Sequence, residues 1–494
     1  MNNNNSYLNI IDHFGSKTIL VIGDLILDVY LKGKTARLCP EAPVPVVDIE
    51  EECVALGGAA NTAFNLRSLG ATVLLITVIG TDANGDKAMQ LLNLAGINNR
   101  YVIRRTNRKT LTKTRVMSGR QLITRIDQGT DSTIESQPRE QVATAIERAY
   151  GSCDCLMISD YNKGVITTDL IEKINQLQQH RPSFIAVDSK RLPCFSSLSP
   201  SCAKPNYEEI RHMLDLPPTT DHLQQVSKVA GELYSVINAS IILATMDEDG
   251  SLIVENGVPT YRASAPTTDR PHVSGAGDTY ISAFVLSYLN SGDPSTSAEI
   301  ASAAASVAIG KASTASCSQG DLKTFFNIHH KFVADLHELG KLCDTYHAAG
   351  KRIVFTNGCF DILHSGHVAY LHQARALGDV LIVGLNKDDS IRRIKGSGRP
   401  INSLADRIQV LAGLSSVDHI IPFGELGNDT PIPLIEVSKP NIFVKGGDYT
   451  MESLPEADTV ERFGGKIALV DRIPQHSTTH IISKIRGHEV LGSL

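Results

Sequence analysis

Short apolar runs that stop abruptly, each followed by a stretch with helical spacing, recur along the chain. The first, residues 17–23 (KTILVIG), ends at Asp24. Residues 58–69 then place Ala63, Leu66 and Leu69 at helical intervals, and Gly70 stands where a terminating glycine belongs. Residues 71–79 form a second run, and 155–159, 184–187 and 241–244 repeat the pattern. Such buried-strand segments alternating with helices predict a parallel, doubly wound α/β sheet. The last helix of this series, around 298–311, is rich in alanine and serine. The pattern breaks at 313–321 (STASCSQGD), which is small and polar, and 325–350 reads as helical with His329, His330, His337 and His347. Those histidines fit a solvated linker helix better than a metal site. A new series opens at 351–356 (KRIVFT) and continues through 380–385, 419–422, 442–444 and 467–470. Length alone, 494 residues, suggests about three domains. The punctuation supports two, 1–317 and 351–494, with 318–350 as a helical linker.

Charge and cysteine usage narrow the class. Fifty-three acids against 47 lysines and arginines give a net charge of -6, which disfavours a general nucleic-acid binder. Residues 1–6 form a polar, asparagine-rich start unlike a secretory leader, and the longest apolar stretch, 73–79, is far short of a membrane span. Nine dispersed cysteines without a CxxC pair read as reduced thiols. The expectation is a cytoplasmic enzyme with no nucleic-acid or membrane partner. One segment opposes the acidic balance: 100–125 holds nine lysines or arginines and no acid. It reads either as a solvated edge kept apart by charge or as a cover for a phosphorylated substrate.

Residues 274–279 read SGAGDT and run into an apolar helical segment, 280–289. Small residues let backbone N–H groups crowd round an anion at a helix N-terminus, where the unpaired donors and the dipole favour negative charge. Asp278 sits in that first turn, so its ionised form is expected to be favoured. That suits phosphoryl transfer, in which the base mainly orients a hydroxyl. A tight turn with a capping aspartate is the alternative. No GxxxxGK[ST] loop occurs, which excludes a Walker-type kinase. Gly23-Asp24 with Asp28, then 57–61 (GGAAN), then 206–209 (NYEE) after a Lys-Pro step, precede it in order. With these landmarks, residues 15–315 resemble the ribokinase-like (PfkB-type) sugar kinases. The resemblance implies that Asp278 is the base for a sugar hydroxyl and that Gly275, Ala276 and Gly277 form the anion hole. It implies that Asp28, Gly58 and Asn61 hold sugar hydroxyls, and that Asn206 and Glu209 organise Mg2+ and the nucleotide phosphates. Lys113 and Arg115 are candidates for the substrate's own phosphate. The family's Asp-x-Thr-Gly-Ala-Gly-Asp is altered here, with His272 and Ser274 at the first and third places, which puts monovalent-cation dependence in question.

Residues 356–367 read TNGCFDILHSGH, directly after a strand. His364 and His367 lie three apart at the start of a helix, 368–377, and so share a face. Glycines 358 and 366 permit close backbone approach. Two imidazoles, helix-end amides and a lysine make a receptor for a triphosphate, and nucleotidyl transfer needs mainly in-line positioning and charge neutralisation. Zinc is disfavoured, because HxxH here lacks the HExxH glutamate. The segment resembles the GxFDxxHxGH signature of the cytidylyltransferase-like nucleotidyltransferases. Lys395-Gly396, Arg399-Pro400, Arg407, 445–448 (KGGD) and 477–479 (STT) follow in order. The resemblance implies that His364 and His367 stabilise the transition state. It places Thr356, Asn357, Gly358, Phe360, Lys395, Arg407, Ser477, Thr478 and Thr479 at the nucleotide, with Asp448 near the nucleotide or the sugar. Ala405 stands where the family more often has an acid.

The pairing of these two parts, with 40–46 (PEAPVPV), 159–165 (SDYNKGV) and 444–449 (VKGGDY), resembles one family of fused enzymes. These are the bifunctional heptose-7-phosphate kinases and heptose-1-phosphate adenylyltransferases of ADP-heptose and lipopolysaccharide-core synthesis. The implied fold is a ribokinase-like doubly wound sheet with a β lid, followed by a smaller Rossmann-like domain. ATP is the implied substrate of both halves, Mg2+ the cofactor, and a homodimer through the kinase domain the expected assembly. Three alternatives stay open: a CTP-dependent polyol-phosphate cytidylyltransferase in the second half, a different sugar phosphate in the first, and a catalytically reduced nucleotide- or sugar-binding regulator.

Overall fold

A computed structural model of the chain describes residues 3–119, 121–264, 275–310, 316–446 and 454–470. The chain divides into two compact units between Lys323 and Thr324. In the first, the strands are β1 (Thr18–Gly23), β2 (Leu25–Leu38), β3 (Pro45–Gly58), β4 (Thr72–Gly80), β5 (Asn98–Arg105), β6 (Leu111–Ser118) and β7 (Gln121–Gln128). They continue as β8 (Cys155–Asp160), β9 (Phe184–Ser189), β10 (Cys202–Ala203), β11 (Ile241–Thr245), β12 (Ser251–Glu255) and β13 (Val258–Ala263). The main sheet runs β13-β12-β11-β10-β9-β8-β1-β4-β5 and is parallel except for the antiparallel β12 and β13.

The apolar runs explain this sheet. Residues 19–23 of β1 and 73–80 of β4 are buried without alternation, as strands covered on both faces must be. Leu20, Ile22, Leu74, Ile76, Leu156 and Ile158 pack with Val142, Ile146, Leu170 and Ile174 of the helices Ser136–Tyr150 and Thr168–His180. Each such side chain stabilises the fold by roughly 1.5–3 kcal/mol. The helices Ala59–Ser68 and Ala276–Ser291 pack on one another, and the first also lies against β1. Gly58 caps the first of these helices at φ +57, and a Cβ there would stand 2.2 Å from the Asp24 carbonyl, so the turn needs glycine.

A separate four-stranded sheet, β3-β2-β6-β7, forms the lid. Its long β2–β3 hairpin is buried mainly at its base, in the first residues of β2 and at 56–58 of β3, and most of its length faces solvent. The basic segment 100–125 does not stay together. Arg100, Arg104 and Arg105 lie on β5 at the edge of the main sheet, while Lys113, Arg115 and Arg125 lie on the lid. Much of its charge is already paired, Arg104 with Asp86, Arg115 with Asp28 and Arg125 with Asp127.

In the second unit, β14 (Ile353–Gly358), β15 (Val380–Asn386), β16 (His419–Phe423), β17 (Ile442–Gly446) and β18 (Lys466–Val470) form a parallel sheet in the order β16-β15-β14-β17-β18. The chain leaves β14 in one direction and returns on its other side, so a crevice opens at the carboxyl end of β14. The stretch read as a linker holds the helices Gln319–Lys331 and Leu336–Ala348. The second belongs to this unit's core: Leu339 and Cys343, four apart, are buried with Ile353, Phe355 and Leu434. His337 and His347 stay on its exposed side. No helix among the described residues is long and apolar enough to cross a membrane.

Candidate active sites

The first site gathers at the carboxyl ends of β1, β8 and β9. The switch in strand order lies between β1 and β8, where such sheets open a crevice. Gly275, at φ +101, caps the helix Ala276–Ser291 and delivers Asp278 into its first turn. Asp278 is 7% exposed. Asn61 Nδ2 donates to its Oδ2 at 2.5 Å, Tyr161 Oη to its Oδ1 at 3.2 Å and Thr62 Oγ1 to its Oδ1 at 3.5 Å. Asn65 ties the two helices together, donating to Asn61 Oδ1 and accepting from Thr279 Oγ1 at 2.6 Å.

The electrostatics correct one expectation. The helix N-terminus was expected to favour an ionised Asp278, yet burial, reinforced by the nearby Asp188 carboxylate, lifts its pKa to about 6. Asn61, Lys204 and Tyr161 oppose that rise without cancelling it. Desolvation outweighs the dipole because the carboxyl is almost removed from water. The outcome is a better base, still ionised at neutral pH.

An open cleft of about 230 Å³ fronts Asp278, lined by Gly275, Gly277, Asp188, Lys204, Asn206 and Glu209 among others. Lys204, which sequence reasoning passed over, is 6% exposed with Nζ 3.2 Å from Asp188. Burial works against its charge, but Asp188, Glu209 and Asp278 outweigh it and hold the ammonium. Its only signal was the Lys-Pro step before Asn206. Asn206 and Glu209 form a reciprocal cap on the helix Tyr207–Met213: Asn206 Oδ1 accepts from Glu209 N and Glu209 Oε2 from Asn206 N. Each thus uses one side-chain atom locally. Among the described residues no group of three or more His, Cys, Asp or Glu could hold a metal alone. A carboxylate or two on an open cleft is what Mg2+ takes when phosphates and water complete its shell, so the donors fit that ion.

Asp28, on β2, pairs through Oδ1 with Arg115 at 2.5 Å, both side chains under 20% exposed. Gly57 backs this carboxylate so closely that a Cβ there would meet Oδ2 at 2.2 Å. Lys113 lies beside Asp28 in the lid register, half-buried, with Nζ 5.7 Å from the centre of the Tyr161 ring. Burial lowers its pKa, with Asp28 pulling the other way. The structure therefore brings Asp28, Asn61, Lys113 and Asp278 round Tyr161, while Arg115 is engaged with Asp28. His272 and Ser274 lie outside the described residues.

The second site opens at the end of β14. His364 caps the helix Ser365–Ala376, and its ring stands 3.9 Å from that of His367. Phe360, held at φ +44 and 7% exposed, places its ring 5.5 Å from His367. Burial first, then His364 and Lys395, pull the His367 pKa down to about 4, so this imidazole is neutral at pH 7. Lys395 ends the helix Asp388–Lys395 and is exposed. Gly358 sits under the Phe360 ring, 3.0 Å from a would-be Cβ.

Three residues expected at the nucleotide have hydrogen-bond partners within the domain. Arg407 is 2% exposed, donating to the Cys359 carbonyl at 2.7 Å and to Asp388 at 2.6 Å. A cation on a helix was visible in the sequence; that its face turns inward was not. Thr356 is wholly buried, its hydroxyl 2.6 Å from that of Tyr370. Asn357 accepts from Lys445 Nζ at 2.8 Å. Asp361, also unflagged, pairs with Arg399 at 2.6 Å and accepts the backbone N–H groups of Ile401 and Asn402. Asp448, Ser477, Thr478 and Thr479 lie outside the described residues.

Comparison with known proteins assigns each half of the chain to a family. Residues 16–320 match the pfkB family carbohydrate kinases and 355–488 the cytidylyltransferase-like family. Ribokinase of Arabidopsis thaliana, solved with ribose and ATP, is similar in fold, at TM-score 0.51 and 16% identity over 63% of this chain and 98% of its own. Phosphofructokinase-2 of Escherichia coli, solved with potassium, gives TM-score 0.52 and 17% identity over 63% and 97%. The bifunctional protein HldE of Helicobacter pylori is 39% identical over 95% of this chain and 99% of its own. HldE of Mesorhizobium japonicum is 36% identical over 97% and 96%. The chain belongs to the bifunctional HldE family, a pfkB-type carbohydrate kinase followed by a cytidylyltransferase-like domain.

Proposed function

We propose that the chain catalyses two ATP-dependent steps of ADP-heptose synthesis. Residues 1–317 phosphorylate D-glycero-β-D-manno-heptose 7-phosphate at its anomeric hydroxyl. After a separate phosphatase removes the 7-phosphate, residues 351–494 transfer an adenylyl group from a second ATP to heptose 1-phosphate. The carrying observation is a buried, multiply hydrogen-bonded Asp278 facing an open cleft, in one chain with a histidine pair at the crevice of a second parallel sheet.

In the first step Asp278 accepts the proton of the anomeric hydroxyl as its oxygen attacks the γ-phosphorus of ATP and the bond to ADP breaks. Lys204 and the N–H groups of residues 275–277 face the charge that develops on the phosphoryl oxygens. Asn206 and Glu209 would hold Mg2+ against the nucleotide phosphates, where it supplies charge neutralisation. Asp28, Gly58 and Asn61 line the sugar, with Lys113 at its 7-phosphate. In the second step a heptose 1-phosphate oxygen attacks the α-phosphorus, pyrophosphate leaves, His364 and His367 bind the oxygens that gain charge, and Lys395 contacts the nucleotide phosphates. Ser477, Thr478 and Thr479 complete that nucleotide site. Because the phosphatase step intervenes, the product of the first site must leave before the second acts.

We also place the protein in the cytoplasm as a homodimer formed through the kinase lid. No two of the nine cysteines are joined in a disulfide. Leu38, Val44, Ile49, Leu122 and Ile126 of the lid are large, apolar and exposed. Light scattering on the full chain tests the dimer, and a monomer would remove it. Phosphorus NMR of ATP with a panel of sugar phosphates tests the activity, scoring ADP and pyrophosphate separately. No ADP from heptose 7-phosphate would sink the kinase assignment. Pyrophosphate from CTP in place of ATP would sink the adenylyl assignment.

A further inference from the structure

The segment 159–165 (SDYNKGV) takes no part in the steps above, yet it is held more firmly than a connection requires. Asp24, at the end of β1, has no solvent exposure. Its Oδ2 accepts the backbone N–H groups of Tyr161 at 3.0 Å and Lys163 at 2.9 Å, and its Oδ1 that of Val165 at 3.0 Å. Arg108, 8% exposed, donates to the carbonyls of Ser132 and Lys163, each at 2.8 Å. Asp160, at the root of the segment, accepts from Ser189 at 2.7 Å and Arg191 at 2.8 Å. Burying a carboxylate and a guanidinium is costly unless each is well bonded, and here both are bonded to one short segment.

What the clamp fixes is Tyr161. Its hydroxyl reaches Asp278 Oδ1 at 3.2 Å and Oδ2 at 3.5 Å. Asn61 and Thr62 approach the same carboxylate from the helix Ala59–Ser68, and Asp188 and Lys204 face it from β9 and from the turn after β10. A carboxylate held by donors from separate segments cannot swing, so the direction of its remaining lone pairs is set before substrate arrives.

We infer that Tyr161 is a positioning residue of the kinase step: its hydroxyl aims the Asp278 carboxylate at the attacking hydroxyl, and Asp24 aims Tyr161 by gripping the backbone that carries it. The inference rests on Asp278 being the base.

Tyr161→Phe removes one oxygen and keeps the ring. In the full chain with ATP and heptose 7-phosphate, kcat for ADP release falls about tenfold, the size of one hydrogen bond to a charged acceptor. The KM values for both substrates change by less than about twofold, as they should when ground-state binding is untouched. An unchanged kcat overturns the inference, and so does a raised sugar KM at constant kcat, which would make Tyr161 a substrate contact. Asp24→Asn keeps the size of the side chain but loses its charge and replaces one accepting oxygen with an NH2 group, which weakens the clamp. Acting through Tyr161, it lowers the wild-type kcat but lowers that of Tyr161→Phe no further, whereas losses that multiply overturn the Asp24 half. Tyr161→Phe keeps the ring and leaves Asp278 its Asn61 and Thr62 donors, so the inference stays decidable even if Asp24→Asn fails to fold. A wild-type chain that releases no ADP, or an Asp278→Asn chain that still does, removes the kinase reading itself. A working wild type beside a fully active Tyr161→Phe removes the inference alone.

Discussion

The two sites solve one problem with opposite materials. Each sets a titratable side chain in the first turn of a helix at the mouth of a parallel sheet, and each buries it. Burial drives both towards neutrality: the Asp278 carboxyl rises to about 6 and the His367 imidazole falls to about 4. The first site is assembled from four distant segments, around Asn61, Tyr161, Lys204 and Asp278. The second is mostly one continuous stretch, 356–367, on a strand, a loop and a helix start. A scattered site depends on the packing of the whole domain, whereas a continuous one depends on its own loop and the groups bracing it.

The sharpest way to break this comparison is to remove each centre in turn. Asp278→Asn should lower ADP release by about 10²–10⁴-fold, the span of a general base, and leave pyrophosphate release unchanged. His367→Ala should do the reverse, by about 10²–10³-fold. Steady-state assays of both products on each folded variant decide it. If either change abolishes both, the sites are not independent.

Next in size is pH. The kinase needs Asp278 ionised, so its rate is full above its pKa and declines as pH falls through about 6, reaching about a tenfold loss one unit lower. His367 stays neutral down to about 4, so adenylyl transfer should hold over the same interval. Rate profiles from pH 5 to pH 8 on one preparation check this. Parallel acid limbs would mean that burial does not set the two centres apart.

Legibility follows the same division. The second site could be read because its residues are neighbours in the chain, and the buried strands because an unbroken apolar run has few other uses. Tyr161 and Lys204 were not singled out in the sequence because nothing local marks their place beside Asp278. Tyr161 meets Asp278 across 117 residues of chain, because the helix that carries Asp278 packs on Ala59–Ser68, which lies against β1 and β8. The β2–β3 hairpin escaped because most of its surface is solvated and lacks an apolar pattern. Arg407 shows the converse: residue type and helix were legible, but its burial and its pairing with Asp388 were not.

A smaller effect separates the two lysines expected at phosphates. Lys113 is half-buried above Tyr161, and Lys113→Ala should raise the KM for heptose 7-phosphate about tenfold with little change in kcat, since a desolvated charge-assisted bond is lost. Lys395 is exposed at a helix end, where water and salt already screen it. Lys395→Ala should therefore raise the KM for ATP in adenylyl transfer only about two- to threefold at low ionic strength, and the difference should shrink as salt is added. Titrating each variant with its substrate at low and high salt tests both. The Lys113 effect should persist in salt, because burial shields that contact from counterions. If both effects fade alike, Lys113 does not meet the sugar's phosphate in a buried contact.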